Sequence, residues 1–358
     1  MNKKPKDNKL NIIDLVVIKL TSIYVKIGVL RKEKHVKSIL LTCWVLAFSF
    51  NSLADPIVIA HRGASGYLPE HTLAAATLAH AQGADYIEQD LVLTKDLVPV
   101  VLHDIHIDTV TNVAHIYPNR MRKDGRFYAF DFTLAELKTL TVNERKNLNG
   151  KAVYPNRYQG NADFKIATFE EQIELINQLN RQFNKQVGFY PEIKAPAWHK
   201  AQGADISKVV LNTLRKYQLD HAKAAIFLQC FDFDELKRIR QELGAKVKLI
   251  QLIGENSWQE SPTDYQYLKS KQGLKEIAEV AQGIGPWIPQ LIDKKGNTTP
   301  FALLAKQSSL MIHPYTYRRD DLPFSLNKQA LLDLLFKQIA VDGLFSDFPD
   351  DTLNYLTN

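Results

Sequence analysis

Eight short segments rich in β-branched and aromatic residues alternate with longer amphipathic segments from residue 55 to the end of the chain. Strands that alternate with helices favour a parallel sheet, because each helix returns the chain to the same edge before the next strand begins. Eight parallel strands can close into a barrel. The predicted strands are 57–61, 85–91, 187–193, 224–230, 246–252, 283–288, 309–314 and 341–346. We therefore predict the α/β class, with a (β/α)8 TIM barrel over residues 55–358.

Helix start signals lie between several of these strands. In a capping box, a Thr or Asp side chain caps the first turn and a Glu three residues later reaches back to it. The pairs with this spacing are Thr133 and Glu136, Thr168 and Glu171, and Asp232 and Glu235. We predict a helix after each pair, and a further amphipathic helix at about 325–338.

One pair of strand-like segments cannot be parallel. Only four residues, 95–98, separate the segment that ends at Thr94 from the one that begins at Pro99. A connection this short can join only antiparallel strands, so we predict a hairpin over 92–103 that extends the second barrel strand. Residues 105–165 then form an insertion rich in Asn, Arg, Tyr and Asp. It is too long for an ordinary connection, and we predict that it caps the barrel mouth.

The positive charge of the chain is concentrated in its first 54 residues. The formal net charge is +6, with 45 Lys and Arg against 39 Asp and Glu. Residues 1–54 hold 10 of these basic residues and 3 of the acidic ones, so the remainder is close to neutral. A nucleic-acid-binding domain needs a basic surface. The near-neutral remainder therefore predicts no nucleic-acid partner.

Residues 1–54 have the features of a leader with a signal peptide. Basic residues at 31–37 precede an uncharged apolar segment at 38–50, and small residues at 52 and 54 suit a signal peptidase. We expect cleavage after Ala54, export of the remainder and no stable membrane anchor after processing. A retained anchor is one alternative, but the apolar segment is short for a hydrocarbon core of about 30 Å. Lipid attachment at Cys43 is another, which its position inside the apolar segment disfavours.

Three carboxylates fall at the ends of predicted strands. Glu88 and Asp90 are two residues apart on one strand, so their side chains share a face. Two ionised carboxylates held this close repel each other, so one takes up a proton or a cation lies between them. Glu192, at the end of the next barrel strand, adds a third. Oxygen ligands without a nearby Cys suit Ca²⁺ or Mg²⁺ better than Zn²⁺. The alternative is a solvated strand end with salt bridges.

Two histidines accompany these carboxylates. His61 ends the first predicted strand, and His103 ends the return limb of the hairpin. Phosphodiester cleavage needs one group to take a proton from the attacking oxygen and another to protonate the leaving oxygen. Arg62 offers a two-pronged contact to a phosphate, and Lys194 offers a point charge. A single His at a strand end is often structural, so it is the pair that indicates chemistry.

A series of motifs in this order resembles the glycerophosphodiester phosphodiesterases, and in particular their secreted, periplasmic, calcium-dependent branch. The motifs are HRGASGYLPEHT at 61–72, GADYIEQDLVLTKD at 83–96, VVLHD at 100–104, YPEIKAP at 190–196, LQCFD at 228–232, GIGP at 283–286, HPYTYR at 313–318 and GLFSDFPD at 343–350. The resemblance covers residues 55–355. By position it implies an acid–base pair, His61 and His103; metal ligands, Glu88, Asp90 and Glu192; and substrate contacts, Arg62, Lys194 and His313.

The resemblance also implies an activity. A periplasmic hydrolase would cleave a small glycerophosphodiester into sn-glycerol 3-phosphate and an alcohol such as choline, ethanolamine or glycerol, with Ca²⁺ rather than Mg²⁺ as its ion. The oligomeric state stays open, with a homodimer as one alternative. Two other functions are kept as alternatives: a phospholipase-type phosphodiesterase that acts on intact lipid, and a surface-displayed binding protein on the same barrel. His71 replaces an Asn that many relatives outside the branch have, and Glu70 either supports the metal site or stabilises the following helix.

Overall fold

The computed structural model describes residues 55–357, so the predicted signal peptide lies outside the described residues. Within this range the strands are β1 Ile57–Ala60, β2 Tyr86–Leu93, β3 Pro99–Val101, β4 Gly188–Ile193, β5 Phe227–Cys230, β6 Lys248–Ile253, β7 Gly283–Pro286, β8 Met311–Ile312 and β9 Gly343–Ser346. Eight of them are neighbours in the order β8-β7-β6-β5-β4-β2-β1-β9, and every neighbouring pair is parallel.

The two ends of this sheet meet through the segment after β8. Tyr317 N donates to Phe345 O at 2.8 Å, and Phe345 N donates to Pro314 O at 3.0 Å. These bonds join residues after β8 to β9 and bring the eight strands into a nearly closed ring. The (β/α)8 prediction is confirmed, although the predicted strand 309–314 is regular only at Met311–Ile312.

The strand β3 is the return limb of the predicted hairpin. It pairs antiparallel with β2, with Leu91 opposite Val101 and Leu93 opposite Pro99. Leu97 in the connecting turn has a φ of 60°, in the left-handed region. The hairpin therefore extends β2 beyond the barrel and returns the chain toward the barrel mouth.

Helices connect the barrel strands. Within residues 55–357 they are α1 Leu73–Gln82, α2 Val113–Ile116, α3 Leu134–Thr139, α4 Phe169–Phe183, α5 Pro196–Ala201, α6 Ile206–Lys216, α7 Phe233–Gln241, α8 Tyr265–Leu268, α9 Lys271–Ala278, α10 Ile288–Leu291, α11 Pro300–Gln307, α12 Lys328–Leu332 and α13 Pro349–Thr357, with α12 continuing as a π-helical segment, Asp333–Ile339. No helix in this range has the length and apolarity needed to cross a membrane.

The predicted capping signals form, with one difference. Thr133 and Thr168 each cap their helix in a reciprocal box with the Glu three residues later. Asp232 accepts from the backbone N–H of Glu235, but the Glu235 carboxylate binds Lys200, Ser207 and Arg238 instead of reaching back. The spacing therefore predicted the helix start correctly, while tertiary partners took the second half of the box.

Three apolar clusters organise the molecule. One lies between the sheet and the surrounding helices, and a small one inside the barrel contains Ile59, Tyr190, Phe227, Ile250 and Phe345. The third belongs to the hairpin and the insertion, where buried residues such as Val100, Ile107 and Phe132 pack together. The insertion therefore has its own core and is anchored on the outer part of the hairpin.

Candidate active site

The carboxyl ends of the barrel strands surround a cavity of about 150 Å³, which we call the mouth cavity. In (β/α)8 enzymes the active site forms at this end of the barrel. Six of the eight predicted site residues line it: His61, Arg62, Glu88, Asp90, His103 and Glu192. The other lining residues are Gln229, Phe231, Leu252, Trp258, Trp287, Tyr315, Thr316, Arg318 and Phe345.

A second cavity, of about 140 Å³, adjoins the first and shares His61, Arg62, His103 and Arg318 with it. The additional lining residues are Ser65, Glu70, Arg145, Tyr154, Arg157 and Asp347. Three of these, at positions 145, 154 and 157, belong to the insertion. The insertion thus supplies one wall beside the barrel mouth, where the sequence predicted a cap.

The predicted metal ligands lie side by side on neighbouring strands. Glu88 and Asp90 are buried on β2, and Asp90 is opposite Glu192 of β4 in the parallel register. Ligand atoms of His71, Glu88 and Asp90 lie within 4.8 Å of one another. Glu192 lines the same cavity, but its Oε1 is 2.8 Å from Lys194 Nζ. The structure therefore groups Glu88 and Asp90 with His71, and leaves Glu192 paired with a lysine.

The three carboxyl groups cannot all ionise easily without a cation. Burial raises the pKa of Glu88 well above its ordinary value, and the charges of Asp90 and Glu192 add to this effect. Burial likewise raises the pKa of Glu192, although Lys194 opposes it. Burial would also raise the pKa of Asp90, but His103 and other positive neighbours hold it well below its ordinary value.

Two buried atoms of this cluster, Asp90 Oδ1 and His71 Nδ1, make no hydrogen bond within residues 55–357. A buried carboxylate oxygen without a donor is unfavourable unless a cation satisfies it. Asp90 Oδ2 lies 2.8 Å from His71 Nε2, so the imidazole orients the carboxylate. Buried carboxylate oxygens of this kind fit a hard divalent cation, and the cluster is a candidate metal site.

His61 is held by a buried carboxylate at the end of β9. Its Nδ1 is 2.6 Å from Asp347 Oδ1, while Asp347 Oδ2 lies 2.7 Å from Arg157 Nη2. Burial alone would raise the pKa of Asp347, but Arg318, His61 and Arg157 hold it well below its ordinary value. An ionised Asp347 keeps the imidazole proton on Nδ1 and leaves the Nε2 lone pair available. Burial and the neighbouring Arg62 lower the pKa of His61 to about 3.

His103, at the end of the hairpin, is bound to a carboxylate in the same way as His61. Its Nδ1 is 2.8 Å from Asp104 Oδ1, and Asp104 Oδ2 accepts from Arg145 Nη1 at 2.7 Å. Burial, followed by the charge of Arg62, lowers the pKa of His103. Each imidazole is therefore oriented by a carboxylate that an arginine of the insertion holds in turn.

Arg62 is held by two carboxylates, that of the predicted metal ligand Glu88 and that of Glu70. Its backbone is in the left-handed region, with a φ of 59°, and its N–H donates to Glu88 Oε2 at 2.6 Å. Its guanidinium donates to Glu70 Oε2 at 3.0 Å, and Glu70 also pairs with Arg145 at 2.6 Å. Glu70 thus positions two arginines, a role that the sequence did not indicate. Arg62 Nε is buried 3.6 Å from Asp90 Oδ2, and the residue lines the mouth cavity.

The other two predicted site residues lie outside the cavity lining. Lys194 Nζ adjoins the cavity as the partner of Glu192. His313, predicted to contact substrate, is instead 1% exposed in the barrel interior. Its Nδ1 is 2.9 Å from Tyr190 Oη and its ring packs against Phe227. The His313 side chain therefore points into the barrel interior and is absent from the lining of both cavities.

Several residues of the site were not found from the sequence. Asp104 directly follows the predicted catalytic residue His103, and Asp347 directly follows the last barrel strand, so both positions were usable signals. His71 was noted only as a departure from many relatives. Arg145 and Arg157 carry no local signal, because the insertion has no clear periodicity and Arg157 reaches a carboxylate 190 residues away in sequence.

The sequence over residues 61–351 matches the model of the Glycerophosphoryl diester phosphodiesterase family. The chain belongs to this family. A glycerophosphodiester phosphodiesterase of Haemophilus influenzae is 42% identical over 328 residues, which cover 85% of this chain and 90% of the relative. One of Treponema pallidum is 34% identical over 328 residues, covering 85% and 92%. The prediction of an enzyme of the glycerophosphodiester phosphodiesterase family is confirmed.

Solved structures show the same fold at low sequence identity. A phosphodiesterase of Oleispira antarctica in complex with its product sn-glycerol-3-phosphate has a TM-score of 0.58 and 20% identity, covering 85% of this chain and 98% of that one. A glycerophosphodiester phosphodiesterase of Agrobacterium tumefaciens has a TM-score of 0.55 and 19% identity, covering 84% and 99%.

Proposed function

We propose that the protein hydrolyses glycerophosphodiesters to sn-glycerol 3-phosphate and an alcohol, with His61 and His103 as the general acid–base pair. One observation carries this proposal: the two imidazoles line one cavity, and each is bound through Nδ1 to its own carboxylate. Neither Nε2 makes a hydrogen bond within residues 55–357, so two similar ring nitrogens are available to the same substrate. Family membership and the named activity of the relatives support the substrate class.

The proposed reaction divides proton transfer between the two rings. One Nε2 takes the proton from the attacking oxygen as the bond to phosphorus forms. The other ring, protonated on Nε2, donates that proton to the leaving alcohol oxygen. The Asp partners stabilise whichever imidazolium forms, and Arg62, which lines the cavity, would place its guanidinium where it can contact a phosphoryl oxygen. Glu88, Asp90 and Glu192 would hold a divalent cation, which when bound neutralises charge on the phosphoryl group.

Replacing His61 or His103 by Ala tests the pair. We expect each variant to lose on the order of 10² to 10⁴ in kcat, because a positioned acid or base contributes about that much. A diester with a nitrophenyl leaving group needs little protonation, so the variant that lacks the acid should recover on it and the other should not. His221→Ala, which removes an exposed histidine, is the control. Near-parental rates in both variants on the natural diester would exclude the acid–base roles.

We propose Ca²⁺ as the ion, because the predicted ligands Glu88, Asp90 and Glu192 offer carboxylate oxygens. Chelation should abolish turnover, and Ca²⁺ should restore it better than Mg²⁺. Asp90→Asn should lower the apparent affinity for Ca²⁺ while the protein stays folded. Full activity in excess chelator would contradict the metal assignment.

We also propose that the protein is exported to the periplasm after cleavage behind Ala54. The basic residues at 31–37, the apolar segment at 38–50 and the small residues before Asp55 support this. N-terminal sequencing of the exported protein should begin at Asp55. A mature terminus at a lipid-modified Cys43, or retention of the whole leader, would contradict it.

A further inference from the structure

One wall of the second cavity is a tight turn of the insertion. Residues 154–157 are Tyr-Pro-Asn-Arg, and Arg157 N donates to Tyr154 O at 3.2 Å, which closes a four-residue turn. Proline at the second position already has the φ that such a turn requires. The turn brings its first and last side chains together, and Arg157 Cζ lies 3.6 Å over the centre of the Tyr154 ring. The local sequence thus builds a stacked pair of tyrosine and arginine beside the site.

Arg157 holds the carboxylate that orients His61. Its side chain is 4% exposed, and it donates to Asp320 Oδ2 through Nε at 2.8 Å and to Asp347 Oδ2 through Nη2 at 2.7 Å. Asp347 Oδ1 in turn lies 2.6 Å from His61 Nδ1. Charge-assisted hydrogen bonds of this kind are strong and directional. A displacement of the Arg157 guanidinium is therefore transmitted through Asp347 to the imidazole.

A second arginine crowds the same carboxylate oxygen. Arg318 Nε lies 3.0 Å from Asp347 Oδ2, the oxygen that Arg157 also binds. Two guanidinium groups at one oxygen repel each other. The Tyr154 ring lies close to both, because Arg318 Cζ is 6.0 Å from its centre. The negative face of an aromatic ring attracts cations, so the ring counteracts the repulsion and favours the position in which Arg157 reaches Asp347.

The ring of Tyr154, rather than its hydroxyl, makes this contact. The residue is half-buried between the second cavity and a further cavity of about 240 Å³, which the loop residues Pro155, Asn156 and Asp320 also line. Tyr154 Oη makes no hydrogen bond within residues 55–357. Phenylalanine at this position would therefore keep the contact with the guanidinium, whereas an aliphatic side chain would lose it.

We propose that Tyr154 is a positioning residue for His61. Its ring holds Arg157, and through Arg157 it holds Asp347, in the geometry that keeps a proton on His61 Nδ1. The insertion thus contributes to the site an aromatic ring that touches neither imidazole but sets the orientation of one of them. This inference rests on the proposed function for the part that His61 plays in turnover, but the His61 proton can be observed without turnover.

The second imidazole provides an internal control. His103 is bound to Asp104, and the arginine of this chain, Arg145, is held by the carboxylates of Asp104 and Glu70. Its position therefore depends on ion pairs instead of the Tyr154 ring. Loss of the ring should affect His61 and leave His103 unchanged, whereas a general loosening of the insertion would affect both.

Proton exchange at the two imidazoles tests the proposal directly. In Tyr154→Leu, NMR of the full protein should show the Nδ1 proton of His61 exchanging with solvent on the order of 5-fold faster than in the parent, with that of His103 unchanged. Tyr154→Phe should match the parent. Tyr117→Leu, at another half-buried tyrosine of the insertion, whose ring packs near Phe132, should also match it. Unchanged exchange at His61 in Tyr154→Leu, or equal acceleration at both histidines, would overturn the proposal.

Turnover of glycerophosphocholine provides a second readout. Tyr154→Leu should lower kcat on the order of 5-fold and leave KM within about 2-fold, because His61 is disturbed while the groups that bind the diester remain. Tyr154→Phe should restore kcat. A loss in Tyr154→Phe as large as in Tyr154→Leu would assign the effect to the hydroxyl and overturn the role of the ring. A parent protein that shows the expected proton exchange but hydrolyses no glycerophosphodiester would refute the proposed function and leave the positioning of His61 by Tyr154 supported.

Discussion

Each imidazole of the site belongs to a chain of three residues. His61 is bound to Asp347, which Arg157 holds, and His103 is bound to Asp104, which an arginine of the insertion holds in the same way. One carboxylate oxygen thus faces a ring nitrogen and the other faces a guanidinium, which can only donate. The arginine holds the carboxylate in place, and an ionised carboxylate can only accept a hydrogen bond. The ring nitrogen that faces it therefore carries the proton, and the tautomer of each imidazole is fixed.

Asparagine in place of Asp347 should therefore reverse the tautomer of His61. The amide oxygen must stay on Arg157, so the amide N–H₂ turns toward Nδ1, and the ring proton moves to Nε2 where the base needs a lone pair. We expect kcat to fall on the order of 10² to 10⁴ with little change in KM, since general-base catalysis is lost and binding groups remain. Asp104→Asn should also lower kcat, because His103 loses the carboxylate that stabilises its imidazolium.

The control for these variants is Asp108→Asn, which removes a carboxylate paired with Arg126 inside the insertion. It should leave kcat within about 2-fold of the parent. NMR of the imidazole nitrogens can assign the proton in each variant directly. An Asp347→Asn protein with the proton still on Nδ1 and unchanged kcat would contradict the role given to the carboxylate.

The local sequence was enough to identify the site residues whose position is set by the strand that carries them. His61, Glu88 and Asp90 could be found because each ends a predicted strand or lies on its inward face. His71 could not, because it sits in a turn with a φ of 64°, whose geometry the spacing does not encode. His313 was expected to contact substrate, but its side chain lies in the barrel interior against Tyr190, and the two regular residues of β8 offer no alternation from which that direction could be predicted.

At the level of elements, the barrel was predictable and the insertion only in outline. Each barrel strand is buried on both faces and reads as a short apolar segment, and the four-residue connection before Pro99 allowed only a hairpin. The insertion folds around long-range contacts with the hairpin and the barrel, for which its sequence has no repeating pattern. Its functional contribution, two arginines that reach the site, became visible only in three dimensions.

Glu144, beside Arg145 in the insertion, gives this element a pH-dependent stability. Burial, together with the charge of Glu70, raises the pKa of Glu144 to about 7, and its Oε2 makes no hydrogen bond within residues 55–357. A carboxyl whose pKa is higher in the folded protein destabilises the fold as it ionises. The penalty is absent below the ordinary pKa of about 4.3, grows as the pH rises toward 7 and is complete above it.

Glu144→Gln removes that ionisation and keeps the shape of the protonated acid. The variant should match the parent in free energy of unfolding near pH 4.5 and exceed it by about 2 kcal/mol at pH 8, which is the free energy of the pKa difference reduced for solvent screening. Urea unfolding at several pH values measures the difference. Glu279→Gln, at an exposed position on the barrel surface, should show no such trend. A variant less stable than the parent at pH 8 would mean that the ionised carboxylate has a stabilising partner.

For the whole molecule, the candidate metal site connects parts of the chain that meet only in the closed barrel. Glu88 and Asp90 lie on β2, Glu192 lies on β4 and His71 lies in the loop after β1. The unfolded chain does not assemble these groups, so a cation binds the folded state selectively. Selective binding stabilises the fold by an amount that grows with the logarithm of the ion concentration.

Addition of Ca²⁺ should therefore raise the melting temperature of the protein. At a free concentration about 100 times the Kd, the stabilisation is about 2.7 kcal/mol, and this corresponds to a rise of several degrees for a chain of this size. Mg²⁺ at the same concentration should give a smaller rise, and added NaCl at equal ionic strength should give almost none. Asp90→Asn should lose the Ca²⁺ response, because it removes a carboxylate from the site. Differential scanning calorimetry of both proteins with and without chelator makes the comparison; a Ca²⁺ response retained in Asp90→Asn would place the ion elsewhere in the molecule.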